Sequence, residues 1–186
     1  MLTIRKGQGF VLIELIIVVV ISAIIATIGV PALQRFSHSM QVQRDITQLS
    51  MNLRLARAQA LQHTNRVTLC PLDSNGQCHN NWNARLSVFF DQNNNHRIDN
   101  EDQEIFNIPA VSSDQVKRDF NGSVISFAAT GFAGFNTGSF SYCFKGAIET
   151  GAVFIISRIG RIRKGKDSNN DGIPETAGGN AIPCPS

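Results

Sequence analysis

The chain has 186 residues, four cysteines and a formal net charge of +3, enough for one domain with an extension but not for two full domains. Apolar residues make up 42% of it, an ordinary share, so their distribution matters more than their number. The net charge is too small to argue for a nucleic-acid or membrane-surface protein by itself, and only its placement along the chain can do so.

Concentrated apolar character lies in residues 10–30, where Glu14 is the one ionisable side chain. A helix crosses a bilayer in roughly 20 apolar residues. Arg5 and Lys6 precede the run, so the positive-inside rule keeps the N-terminus in the cytoplasm and the rest of the chain outside. A secretory signal peptide fits less well, because its apolar core spans only about 7–15 residues and ends at a small-residue cleavage site. Glu14 is informative. A carboxylate within an apolar helix costs on the order of 2.5–3.5 kcal/mol even on lenient scales, so it needs a partner or a task.

The string Gly9-Phe10-Val11-Leu12-Ile13-Glu14-Leu15 resembles the type III leader of type IV pilins and pseudopilins. The resemblance implies that a prepilin peptidase cuts after Gly9 and that Phe10 is then N-methylated. It also implies that Glu14 pairs with the N-terminal amine of a neighbouring subunit during assembly. Pro31 matches the family's helix-kinking proline. The implied organisation is a leader over 1–9, a transmembrane and filament-core half-helix over 10–31, an amphipathic half-helix over 32–64 and a β-rich head over 65–186. The implied location is the inner membrane, single-pass with the head in the periplasm, and an extracellular pilus after assembly among other pilins.

Through the second half-helix, Leu33, Phe36, Met40, Ile46, Leu49, Leu53, Ala56 and Ala60 recur at spacings of three and four, while Arg35, Arg44, Asp45, Arg54 and Arg57 take other faces. That is an amphipathic helix on which a head can pack. Beyond Thr64 the period changes to short β-branched and aromatic runs at 66–70, 86–90, 104–108, 124–128, 139–144 and 152–157, separated by Gly, Asn and Asp. Antiparallel strands joined by turns follow, about half a dozen of them covering one helix. The predicted class is α+β, the type IV pilin fold of a long N-terminal helix against an antiparallel sheet.

Cys70, Cys78, Cys143 and Cys184 fall on the oxidising side of the predicted topology, so disulfides are expected. Four cysteines allow three pairings, and the sequence does not choose among them. Cys70–Cys78, closing a short loop, and Cys143–Cys184, tying the tail to a strand, are the favoured pairs. A zinc site needs tighter spacing and histidine support, and beside Cys78 stands only His79, so neither a metal nor another cofactor is expected.

Two Asp/Asn runs echo calcium loops. The first, from Asp91 through Asn93, Asn95 and Asp99 to Glu101 and Asp102, has His96 where an EF-hand needs glycine. The second, from Asp167 to Asp171, has Gly172 but breaks off at Pro174 before Glu175. Asn and Asp are also ordinary turn formers, and turn chemistry is the preferred reading of both, the first as a hairpin loop.

Several head strings resemble the GspH/FimT group of minor pilins and pseudopilins. They include Phe89-Phe90-Asp91 with its Asn-rich loop, Val124-Ile125-Ser126-Phe127 before Gly131, and Phe140-Ser141-Tyr142-Cys143. Ile155-Ile156-Ser157 leading to Gly160-Arg161 completes the set.

Arg158, Arg161, Arg163, Lys164 and Lys166 fall within nine residues that contain no acid. Gly160 suits a tight turn, and in an extended segment Arg161 and Arg163 share one face while Ile162 takes the other. Guanidinium groups so placed can grip phosphates of double-stranded DNA without reading sequence. A solvated basic edge strand is the competing reading. Gly160-Arg161-Ile162-Arg163 is similar to the GRxR motif of FimT-type minor pilins, which bind DNA during natural transformation. The resemblance implies that Arg161 and Arg163 are contacts, and proximity adds Arg158, Lys164 and Lys166. The alternative is a structural or priming minor pilin, or a type II secretion pseudopilin, in which these arginines face a partner subunit. His38, His63, His79 and His96 are scattered and no catalytic constellation is visible, so no enzyme is expected.

Overall fold

The computed structural model describes residues 12–111, 113–145 and 151–182. Gly9, Phe10 and Cys184 lie outside the described residues. A helix, α1, runs Leu12–His63, and eight strands follow: β1 Val67–Pro71, β2 Leu86–Phe90, β3 Glu104–Ile108, β4 Val116–Phe120, β5 Ile125–Phe127, β6 Gly138–Phe144, β7 Ala152–Ile156 and β8 Ile162–Lys164. Two compact units divide the chain, residues 1–41 and 42–186.

In the first unit nine large apolar side chains from Leu12 to Ile21 are each at least half exposed. The hydroxyls of Ser22 and Thr27 donate to helix carbonyls of Val18 and Ile24, so these two side chains are satisfied within the helix. Among the described residues no helix is long and apolar enough to cross a membrane, and the predicted span begins at Phe10, outside them. Leu33, Phe36 and Met40, expected on the packing stripe, are exposed, because the core begins two residues later at Val42.

In the second unit Val42, Ile46, Leu49, Leu53, Ala56 and Ala60 form the buried stripe of α1. Ala56 and Ala60 end the stripe and are fully buried, as small side chains permit in a closely packed core. The helix ends with Thr64 at φ +50 and the Asn65 N–H donating to the Ala60 carbonyl at 3.2 Å. This is a Schellman-type cap carried by a threonine where glycine is usual.

The strands make two antiparallel four-stranded sheets, ordered β3-β2-β1-β5 and β4-β6-β7-β8. Val67, Leu69 and Val88 of the first sheet and Phe140, Phe154 and Ile156 of the second share one core with α1. Trp82 stands edge-on to Phe120 and Phe140, with centroids at 5.2 and 5.5 Å. Each sheet is also covered on its outer face, which explains strands buried at every position. Loops 72–79 and 91–102 bring Leu72, Cys78 and Ile98 over Cys70, Phe89 and Val124. The C-terminal tail brings Ile173 and Ile182 over Cys143, Val153 and Ile155.

The expected strands recur within a residue or two, and two were missed. β4 reads Val-Lys-Arg-Asp-Phe and looks like a solvated loop, yet Val116, Arg118 and Phe120 are buried. Its Arg118 Nη2 donates to the carbonyls of Ala84 (2.8 Å) and Asn83 (3.3 Å). β8 is three residues long and too short to carry a period. The half-dozen expected antiparallel strands are thus eight, arranged in two sheets of four.

Candidate nucleic-acid interface

The β7–β8 hairpin presents the basic stretch. The Ser157 N–H donates to the Arg161 carbonyl (3.0 Å), and the Gly160 N–H donates to the Ser157 carbonyl (2.8 Å). Gly160 sits at φ +73, and a Cβ there would collide with the Gly131 carbonyl oxygen, so glycine is required twice over, for backbone sign and for space. Past the turn, Ile156 pairs with Ile162, Ile155 with Arg163 and Phe154 with Lys164. Ile162 packs on the main core, while Arg161, Arg163 and Lys164 are exposed on what is the free edge of the second sheet. Arg158 and Lys166 are exposed as well.

None of these five side chains forms an ion pair with a described residue; the ion pair among the described residues is Arg85–Glu104, 2.7 Å. The nearest following carboxylates are turned elsewhere. Asp167 accepts N–H groups of Asn170, Asp171 and Gly172 at 2.7–3.2 Å. Glu175 is buried and accepts those of Ser168 and Asn169. These oxygens close their own loop instead of neutralising the arginines.

The first Asp/Asn run does the same as the β2–β3 hairpin loop. Asp91, Asn93, Asn95, Asp99 and Asp102 all accept backbone N–H groups within it. The Glu101 N–H, then the amides of Asn95 and Asn93, hold the Asp99 carboxyl below the usual range. Burial raises that of Asp102. Asn94 and His96 take left-handed backbone at φ +57 and +56. Among the described residues no three His, Cys, Asp or Glu side chains are placed to hold a metal ion.

Cys70 and Cys78 are bridged, with Cα atoms 5.6 Å apart, and Cys143 is also disulfide-bonded. The Cys78 N–H donates to the His96 carbonyl and the Ile98 N–H to that of Gly76, so the short disulfide loop is fastened to the Asn-rich loop. Glu14 lies in the first turn of α1 and is exposed.

Sequence reasoning missed three contributors. Arg57, taken as a surface charge on α1, donates from Nε to the Gly131 carbonyl (3.0 Å) and from Nη2 to that of Ile159 (3.1 Å). It thereby clamps the arginine turn and the β5–β6 loop to the helix. Phe135, 92% exposed, carries the Arg158 guanidinium 5.6 Å from its ring centroid. Arg118 meets α1 indirectly across a cavity of about 170 Å³ lined also by Asp45, Gln48 and Tyr142. There the Tyr142 hydroxyl donates to Asp45 (2.9 Å), and burial lowers the Arg118 pKa to about 10, leaving it a cation at neutral pH.

No curated protein matches the sequence. Among solved structures the chain is similar to the type IV minor pilin FimU of Pseudomonas aeruginosa strain PAO1 in two crystal forms, at 18% identity and TM-scores of 0.55 and 0.51. These alignments cover 73% and 69% of this chain and 95% and 94% of FimU. They show the fold, the α+β type IV pilin fold. The family described as Type II transport protein GspH matches residues 45–160, from within the buried helix stripe to the glycine of the arginine turn. That region is more than half of the sequence, so the chain belongs to the GspH family, a minor type IV pilin or GspH-like pseudopilin that works in a pilus or the periplasm among other pilin subunits.

Proposed function

We propose that this chain is a minor pilin of the FimT type, whose head binds double-stranded DNA through its phosphates during uptake for natural transformation. One observation carries the reading: five cations within nine residues, all exposed and none paired with a described carboxylate. A rigid turn and an exposed edge strand hold them, which limits the entropy lost on binding. Arg161 and Arg163 are the principal contacts, and Arg158, Lys164 and Lys166 widen the positive field. No base-reading element is involved, so binding is indifferent to sequence. The chain binds and does not catalyse.

Mounting follows the leader motif. A prepilin peptidase cuts between Gly9 and Phe10, Phe10 is N-methylated, residues 10–31 hold the precursor in the inner membrane, and Glu14 guides assembly. The exposed apolar side chains from Leu12 to Ile21 support this, since so much apolar surface calls for lipid or neighbouring helices.

The test is fluorescence anisotropy of the full chain in detergent against a short duplex at low salt. Affinities of about 10⁻⁴–10⁻⁶ M at physiological salt, tightening steeply as salt falls, are expected. A flat titration overturns the proposal. The second reading, a type II secretion pseudopilin or priming pilin without DNA binding, is favoured by the family match ending at Gly160, before the basic strand. Gene deletion separates the two: lost transformation with normal pili supports DNA uptake, and lost secretion or lost pili supports the structural role.

A further inference from the structure

The β5–β6 loop turns two large aromatic side chains outward beside the arginine turn. Phe135 is 92% exposed and Phe132 55%. The Asn136 N–H donates to the Ala133 carbonyl (3.0 Å), closing a tight turn with Gly134 at φ +60. A Cβ on Gly134 would meet nothing within 4 Å. Glycine is therefore used there for backbone sign alone, and the resulting turn carries the Phe135 ring at its tip. The N–H groups of Ala133 and Gly134 both donate to the Arg158 carbonyl, at 3.0 and 3.1 Å, while the Arg158 side chain lies over the ring. A single residue of the basic turn thus fixes both the loop backbone and one face of the aromatic. Next to the ring is a cleft of about 460 Å³, lined also by Phe132, Asn136, Arg66, Asn94 and His96.

We infer that this ring and cleft take an unpaired nucleobase, so that the head binds single-stranded DNA as well as duplex backbone. The inference rests on the DNA-binding reading above and adds the base-binding element that reading lacks. Every nucleobase has a π face that stacks on an exposed aromatic, whereas the interior of an intact duplex hides those faces. Asn94, Asn136 and His96 bring donors and acceptors suited to base edges without favouring one base. Charge also favours a nucleotide over an apolar protein partner. Covering the ring with an apolar surface would desolvate Arg158 and Arg66 without a counter-charge, but each nucleotide brings a phosphate with its base.

The test compares a fluorescent oligothymidylate with a blunt duplex, using the full chain in detergent. Phe135→Leu should weaken oligothymidylate binding by roughly 5- to 150-fold, the range of one base–aromatic stack, and weaken duplex binding far less, since there only the support of the Arg158 side chain is lost. Phe135→Trp should restore it. Arg161→Gln with Arg163→Gln should weaken both ligands. If the native chain binds duplex but not oligothymidylate, the inference fails and the proposed function stands; if it binds neither, both fail. Equal loss of both ligands in Phe135→Leu, or no loss of either, overturns the base-stacking role. So does loss of co-purification with another pilin subunit while DNA binding persists, which would assign the ring to a protein interface.

Discussion

Removing one arginine from the edge strand gives a sharp test, because counterion release counts phosphate contacts. If Arg158, Arg161, Arg163, Lys164 and Lys166 each neutralise one phosphate, the log–log salt slope is about −4.5, at about −0.9 per contact. Binding then weakens about 500-fold between roughly 50 and 200 mM salt. Arg163→Gln removes one contact, shallows the slope to about −3.6 and weakens binding about 15-fold at roughly 50 mM. Arg161→Gln should match it, and the double substitution should shallow the slope to about −2.7 and weaken binding about 220-fold at roughly 50 mM. The side chains of Arg161 and Arg163 are exposed and make no hydrogen bond or ion pair with a described residue, so stability should change by less than about 0.5 kcal/mol. Anisotropy across a salt series reads the slope, and urea unfolding reads the control. Lys117→Gln supplies the comparison, since β4 is the opposite edge of the same sheet. An equal change of slope from Lys117→Gln, or weaker binding by Arg163→Gln at an unchanged slope, would refute contact at β8.

Three other outcomes follow from the geometry. Gly160→Ala places a Cβ against the Gly131 carbonyl at φ +73, so it should cost at least about 2 kcal/mol in urea unfolding and weaken DNA binding although no charge is lost. Replacing Cys70 and Cys78 by serine opens a loop with a sequence separation of 8 and should cost about 2.5 kcal/mol by the chain-entropy relation, read as a lower thermal midpoint. Backbone N–H groups, led by that of Gln77 at Asp73 and that of Glu101 at Asp99, lower both carboxyl pKa values from 3.8. The stabilisation they give is therefore full above the unfolded value and lost as pH falls through the lower folded values. NMR titration should show the Gln77 and Glu101 amides shifting below about pH 4, and midpoints above 3.8 would contradict the hydrogen bonds.

Local pattern was enough for the helix stripe from Ile46 to Ala60 and for six of the eight strands, because each pattern repeats within one element. It was not enough where burial depends on a distant partner. Arg118 makes β4 look solvated, and only carbonyls 34 and 35 residues away make its burial tolerable. Arg57 sits among helix charges like any surface arginine, yet its acceptors lie 74 and 102 residues on. Phe135 is one of 12 phenylalanines, and nothing nearby in the sequence marks it as one left 92% exposed. Gly160 was legible as a turn residue, but its second task, leaving room for Gly131, was not. The arginines themselves needed no structure to be found, since charge density is a local property.

The division between scaffold and charge has a consequence for how such heads acquire partners. Arg57, Gly131 and Gly160, which clamp and shape the turn, lie within the region shared with the GspH family, whereas Arg161, Arg163, Lys164 and Lys166 lie just beyond it. The ladder holding β8 in place uses backbone groups and the half-buried side chain of Ile162, so the exposed side chains are free of structural duty. Substitutions there fall in the class that shifts stability by only tenths of a kcal/mol, while under the proposed DNA binding each arginine would change phosphate affinity by about an order of magnitude at low salt. A family head can therefore gain or lose an anionic partner by changing three or four side chains on one short edge strand, without disturbing the turn that presents them.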